Sequence, residues 1–341
     1  MLTRRYAIYF FRLADTRAIG RRLSFEQWHQ ALEDDYDNVR AALDWFSDHD
    51  AELSFDLALR IYPFWEHSDR CLEGFRCLSE LLDRFPYANQ KRRAKVLLAA
   101  AKLGRRLGMY SEAEVYFRRS HAEALATRQK AVSEQAISGL ASVLLEQGEY
   151  QAADHHYGEV IRTARGARDS VTKAKALVGL GYSAYLQDRL SEARRLFNVA
   201  APVLAAHSAY ESLALASSCL GGILCSGRDF LSARLHLQTS LDLGWKSLSW
   251  PLRALSFREY ARYYEDMGRS QTAVQFLALA ETICDEGGYS VPPVELRRWQ
   301  ALASRISASL GSDRFRGEYL QAKTLRYEDG LRIAMTEPVG A

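Results

Sequence analysis

Cysteine, histidine and paired acidic residues are where this chain could carry chemistry. Cys71 and Cys77 stand six apart, as do Cys219 and Cys225, with His67 near the first pair and His155-His156 elsewhere. Zinc sites draw their ligands from C-x2–4-C and H-x3–5-H pairs, a spacing that none of these meets. On a helix such cysteines read as small core hydrophobes. The acidic runs Glu33-Asp34-Asp35 and Glu265-Asp266 are adjacent in sequence. Neighbours on a helix point in different directions, so these read as solvated faces and not as an acid/base pair. No nucleophile elbow and no G-x-x-x-x-G-K-[ST] phosphate loop occurs. The residues therefore predict no catalytic centre, no metal site and no cofactor.

The elements that would position any ligand-holding residue are set by an alanine that returns every forty residues: Ala113, Ala153, Ala193, Ala233 and Ala273. Four residues after it stand Phe117, Tyr157, Phe197, Leu237 and Leu277, and twelve before it Ala101, Ala141, Gly181, Gly221 and Ala261. Two helices approach closely only where the side chains at their crossing are small. The paired small positions thus mark where helix A meets helix B of each repeat, and the larger residue one turn on fills the space around the crossing. A period held over five copies is a repeat architecture.

Small residue, twelve-residue step, alanine and aromatic four on resembles the tetratricopeptide (TPR) pattern, and GMYSEA and GEYQAA resemble its A-to-B turn. The period is forty where that family usually has thirty-four, so six extra residues must lengthen helices or connections. The expectation is an all-α, right-handed TPR-like helical solenoid of ~40-residue repeats with helical caps. In the arrays it resembles, helix A lines a concave surface and its outward positions touch ligand. Carried onto this sequence, those positions are Lys95, Lys102, Arg105 and Arg106 in the first regular repeat and Gln135, Ser138 and Ser142 in the second. The later repeats give Lys175, Tyr182 and Tyr185, then Ser218 and Gly222, then Arg258, Arg262 and Glu265. Basic residues at both ends with tyrosines and serines between suit an anionic extended ligand, such as a peptide with carboxylates. The plainer alternative is lysine and arginine placed wherever a helix meets water.

In chain order, residues 3 to 20 predict one helix, with Tyr6, Phe10, Leu13 and Arg17 at helical spacing and Gly20 at its end. A second is predicted from about Phe25 to Asp48, with Trp28, Leu32, Tyr36, Val39, Leu43 and Phe46 forming its apolar stripe. Within it, Leu32, Glu33, Asp37, Asn38, Val39, Arg40, Ala41, Ala42, Leu43 and Trp45 resemble a phrase of bacterial STAND-type ATPase regulators of the AfsR and large-LuxR sort. In that family the phrase stands where the winged-helix end of the ATPase module passes into the TPR array. Residues 51 to 85 predict an atypical first repeat, with Gly74 in the alanine place and Leu78 in the aromatic place. Pro202 is expected to kink a helix B. After Gly287-Gly288, a helix opened by Pro292-Pro293 and ended by Gly311 precedes two short helices, and its P-P-x-E and L-G-x-x-x-F phrases resemble the end of the same regulators. The expected domains are an N-terminal helical cap over 1–50, a repeat array over 51–288 and a C-terminal cap and tail over 289–341.

A hydrophobic fraction of 48% and a charged fraction of 26% are ordinary for a soluble globular protein. The net charge of +3 is too mild to argue for direct nucleic-acid binding, and no apolar run is long enough for a membrane span. Five cysteines, an odd number, read as reduced and cytoplasmic. The resemblance implies the sensor part of a regulator, a non-enzymatic module in bacterial transcriptional control. Its partner would be a protein, a peptide or a small effector, and self-association into a homo-oligomer is compatible with it. A stand-alone adaptor unrelated to transcription is the alternative, and a helical enzyme or enzyme subunit ranks below both.

Overall fold

The computed structural model describes residues 4–15, 24–164, 169–247 and 249–336. Among them the chain is all-α, with eighteen helices and no strand. It divides into two compact units, 1–140 and 141–341, with the boundary inside α8 (Lys130–Gln147).

The first unit opens with α1 (Arg4–Leu13), α2 (Phe25–Asp34) and α3 (Tyr36–His49). The single helix expected from Phe25 to Asp48 is broken at Asp35 (φ −113°, ψ 15°), which ends α2 and starts α3. The break leaves Glu33 and Asp34 in the last turn of α2, where the macrodipole disfavours negative charge, and Asp37 in the first turn of α3, where it favours it. Asp35 Oδ1 accepts from Asn38 Nδ2 at 3.1 Å. A capping box between Ser24 and Gln27 fixes the start of α2. The expected stripe of Trp28, Leu32, Tyr36, Val39, Leu43 and Phe46 is buried throughout. In α1, Ala7 and Phe10 are buried, whereas Tyr6 is exposed and its hydroxyl donates to Asn38 Oδ1 at 2.6 Å. Arg17 and the expected stop at Gly20 lie outside the described residues. The unit continues through α4 (Ala51–His67), α5 (Cys71–Arg84), α6 (Gln90–Arg106) and α7 (Tyr110–Ala126). Gly74 takes the alanine place as expected: a Cβ there would lie 2.6 Å from the Trp65 ring.

The second unit holds the end of α8, then α9 (Tyr150–Thr163), α10 (Ser170–Leu186), α11 (Leu190–Ala206), α12 (Tyr210–Ser226) and α13 (Phe230–Lys246). It closes with α14 (Trp250–Asp266), α15 (Ser270–Glu286), α16 (Pro293–Leu310), α17 (Ser312–Ala322) and α18 (Tyr327–Thr336). Pro202 lies inside α11.

The predicted register holds in both units. The five repeat alanines are each 0% exposed, and Phe117, Phe197, Leu237 and Leu277 are buried beside them. A Cβ on Gly181 would lie 2.7 Å from Phe197, and one on Gly221 2.6 Å from Leu237, so glycine is what admits the partner side chain at these crossings. The forty-residue period is two 17-residue helices and two three-residue turns, as in α10 to α13, so the six extra residues went into the helices. Each A-to-B turn carries one left-handed residue: Gly108, Gly148, Asp188, Arg228 and Gly268, with φ between 57° and 91°. The N–H of the next residue returns to a carbonyl five positions back, as from Arg189 to Ala184 at 2.9 Å, and so satisfies the helix end.

Candidate functional site

The ladder residues fall into three settings. Lys95, Gln135 and Lys175 are exposed and occupy the same position of successive A helices, α6, α8 and α10. Lys102, Arg105, Arg106, Ser138 and Ser142 are half-buried. Within the first unit, Lys102 Nζ donates to Gln135 Oε1 at 3.1 Å, which joins α6 to α8. Ser142 shares a hydrogen bond of 2.9 Å with the Tyr157 hydroxyl of α9 and so turns toward its B helix.

Ser218 is buried on α12. Tyr182, Tyr185, Gly222, Arg258 and Arg262 come together on α10, α12 and α14, and α16 lies over them. The Arg258 guanidinium reaches Glu295 of α16 through Nη1 at 2.9 Å and its neighbour Glu259 through Nη2 at 3.2 Å. The Tyr182 hydroxyl donates to the other oxygen of Glu295. Glu259 also accepts from the Tyr185 hydroxyl at 3.0 Å, and Arg262 Nη1 donates to that same hydroxyl oxygen at 3.0 Å. Arg262 Nη2 donates to the Gly222 carbonyl. A Cβ on Gly222 would lie within 2.6 Å of the Tyr185 hydroxyl, Arg262 and Glu259 together. Only a residue without a side chain leaves room there.

From α16, Arg298 stacks 4.6 Å over the Tyr185 ring and donates to the Tyr185 carbonyl at 3.2 Å. At the rim it pairs with Asp188 at 3.7 Å, while Arg305 pairs with Asp266 at 2.9 Å and Ser309 donates to Glu265 at 2.7 Å. Residue type dictates this arrangement. Side chains of Arg258 and Glu259, each 3% exposed, are charges out of water and persist only when paired and hydrogen-bonded.

The titration of the cluster follows from burial and its partners. Burial alone would raise the Glu259 carboxyl, but Arg262, Arg258 and Arg298 outweigh it, and its pKa ends below the usual value. Burial opposes the charge on Arg258 too, yet Glu295 and Glu259 hold it firmly protonated. Burial, reinforced by Glu295, pushes the Tyr182 hydroxyl far up, and burial does the same for Tyr185. Both phenols are therefore hydrogen-bond donors at neutral pH. Cys219, beneath the same cluster, is buried and its thiol is pushed well up, chiefly by burial. Such a thiol is not a nucleophile. Among the described residues, no group of three or more His, Cys, Asp or Glu could hold a metal ion, and no helix is long and apolar enough to cross a membrane. The arrangement can hold a carboxylate by charge and by a phenol; it offers no group poised to react.

Sequence reasoning singled out Tyr182, Tyr185, Arg258 and Arg262 but missed Glu259, Glu295 and Arg298. Glu259 was visible only as the neighbour of a ladder arginine. Glu295 and Arg298 lay in the phrase P-P-V-E-L-R-R, read as the start of a cap.

No protein-family model matches the chain, and no curated protein does. Solved structures match it. One is the crystal structure of Rap protein complexed with competence and sporulation factor, at TM-score 0.52 and 13% identity, covering 89% of this chain and 98% of that one. Another is the APC/C hetero-tetramer Cut9–Hcn1, at TM-score 0.43 and 16% identity, covering 88% of this chain and 60% of that one. The likeness to Rap protein is one of fold. It agrees with the observed repeats: this is an all-α, TPR-like helical repeat protein.

Proposed function

We propose that this chain is a non-enzymatic recognition module that binds a carboxylate-bearing peptide or protein segment on the ladder surface of its A helices. One observation carries the reading. The surface of α10, α12 and α14 already holds a helical segment by its carboxylate, Glu295, with an arginine at 2.9 Å and a tyrosine hydroxyl as donors. Charge-assisted hydrogen bonds of this kind are about twice as strong as neutral ones, and their geometry selects carboxylates. The exposed Lys175 adds positive charge to α10 within the same unit, and Lys95 of the first unit holds the corresponding sequence position of its own helix, α6. A fold of this type can receive a ligand, as the Rap protein complex with competence and sporulation factor illustrates. The resemblance of residues 32–45 to the STAND-type regulators supports a sensor role in bacterial transcriptional control. A small effector with a carboxylate would use the same donors.

The test is quantitative capture from native lysate by wild type, Lys95→Glu, Lys175→Glu and the double variant. Arg262 is unsuitable for this purpose, because its guanidinium is built into the buried cluster. Charge reversal at the exposed lysines should lower recovery of a specific partner without lowering thermal stability. Equal recovery by all four proteins would remove the ladder surface from the account.

A further inference from the structure

One B helix departs from the others on its outer face. Two residues before and two after each repeat alanine, the side chains of helix B are not buried in any of the five repeats. At the first of these positions the other four repeats have serine or glutamine, and at the second only Val115 is apolar. In α13 both are leucine, Leu231 and Leu235, four apart on one helical face and 61% and 60% exposed. On α15 the corresponding row is covered: Gln271 donates to Glu318 of α17 at 2.8 Å and accepts from Arg314 at 3.3 Å. The polar row is covered and the apolar row is bare, the reverse of what burial of apolar surface favours. Met335, 58% exposed at the end of α18, extends the bare patch, since its carbonyl and that of Ala334 each accept from Arg234 at 3.1 Å.

The charges along the same row select what can cover it. Arg228, in the turn before α13, stands seven residues before Leu235, and Asp242 stands seven after it. Both are exposed, and among the described residues neither has an ion-pair partner in the chain. The other charges beside the leucines are taken: Arg234 by the end of α18, and Asp229 by the Ser232 N–H, which it accepts at 3.1 Å as the cap of α13. A second α13 laid antiparallel about a two-fold axis through Leu235 sets Leu235 on its own counterpart, Leu231 on Thr239, and Arg228 on Asp242 twice over. A parallel pairing in register would set Arg228 on Arg228 and Asp242 on Asp242, which like-charge repulsion opposes.

We propose that α13 is the contact helix of a homodimer, pairing antiparallel with α13 of a second copy. The leucines, desolvated at the centre, hold the two copies together, and the Arg228–Asp242 pairs at the rim set direction and register. An isologous contact of this kind closes on itself and stops at two copies. It uses a B helix, so the A-helix ladder of each copy stays outside it.

Sedimentation velocity of the full chain over a range of concentrations is the test. Wild type should pass from monomer to dimer as concentration rises. Leu231→Gln/Leu235→Gln, which installs the residue types of α15, should raise the dimer dissociation constant about tenfold or more without lowering the thermal stability of the monomer. Arg228→Asp and Asp242→Arg should each raise it too, because each alone sets like charges in contact. The two together should return it close to the wild-type value. A photo-crosslinker at position 235 should capture residues 231–239 of a second copy, a stretch without glutamate. A monomer at every concentration, or a dimer indifferent to the leucine pair, would overturn the proposal. Weakening by both single charge reversals with no recovery in the double variant would overturn the antiparallel register. Leucine-dependent capture of a different protein by a chain that stays monomeric would give α13 another occupant and overturn the proposal as well.

Discussion

Arg258→Met should destabilise the second unit by about 3 kcal/mol, at the low end of the ~3–5 kcal/mol that follows when one partner of a buried ion pair is removed. The side chain is 3% exposed and holds Glu295 at 2.9 Å and Glu259 at 3.2 Å. Methionine keeps the apolar stem, so lost packing is a minor term. The low end applies because neither carboxylate is left bare. Glu259 keeps the Tyr185 hydroxyl at 3.0 Å and Arg262 at 3.5 Å, and Glu295 keeps the Tyr182 hydroxyl. A chain with two compact units need not unfold in one step, so native-state hydrogen exchange resolved by segment is the appropriate assay. Amides of α10, α14 and α16 should exchange roughly a hundredfold faster in the variant, since each ~1.4 kcal/mol is tenfold. Protection in α1 to α5 should not change. Adding Glu295→Gln to Arg258→Met removes the carboxylate that has lost its cation and should restore on the order of 1–2 kcal/mol, a coupling that distant sites would not show. A loss below about 1 kcal/mol for the single variant, or strict additivity in the double one, would refute the view that these charges are mutually dependent.

Three further outcomes follow. The depressed Glu259 carboxyl contributes stability that is fully present above the unfolded-state value of about 4.3 and is lost as pH falls through its folded value. The stability gap between wild type and Glu259→Gln should therefore be flat at neutral pH and narrow in acid, as read by urea melts at several pH values. Arg228→Gly should stabilise the second unit by about 0.5–1 kcal/mol, because Arg228 sits at φ 60° where glycine carries no steric penalty; an unchanged or lowered Tm would count against that turn geometry. Ala153→Leu and Ala193→Leu should each cost about 1–3 kcal/mol by overpacking a helix crossing, and unchanged melting of both would undo the repeat register.

The repeat was legible because its determinant is local. Ala193, Gly181 and Phe197 lie within one hairpin, and the small side chains that permit the crossing recur at fixed intervals along the chain. Tyr182, Tyr185, Arg258 and Arg262 were legible as ladder residues for the same reason. Their surroundings were not, because Tyr182 meets Glu295 across 113 residues, and no periodicity reports where a helix outside the repeats will lie. The phrase P-P-V-E-L-R-R marked a helix start correctly and was silent on what that helix covers. The break at Asp35 was missed for a different reason. The apolar stripe runs unbroken from Trp28 to Phe46 across the break, so its periodicity gives no sign of one.

The most direct test of the recognition account is photo-crosslinking. A benzophenone side chain would be placed at Lys175 on α10 and, as a control, at Leu235, also exposed, on α13, with the captured segment mapped by mass spectrometry. The account predicts a glutamate-bearing segment captured from position 175 and not from 235. Capture from 235 alone would place recognition on the B helices and contradict it.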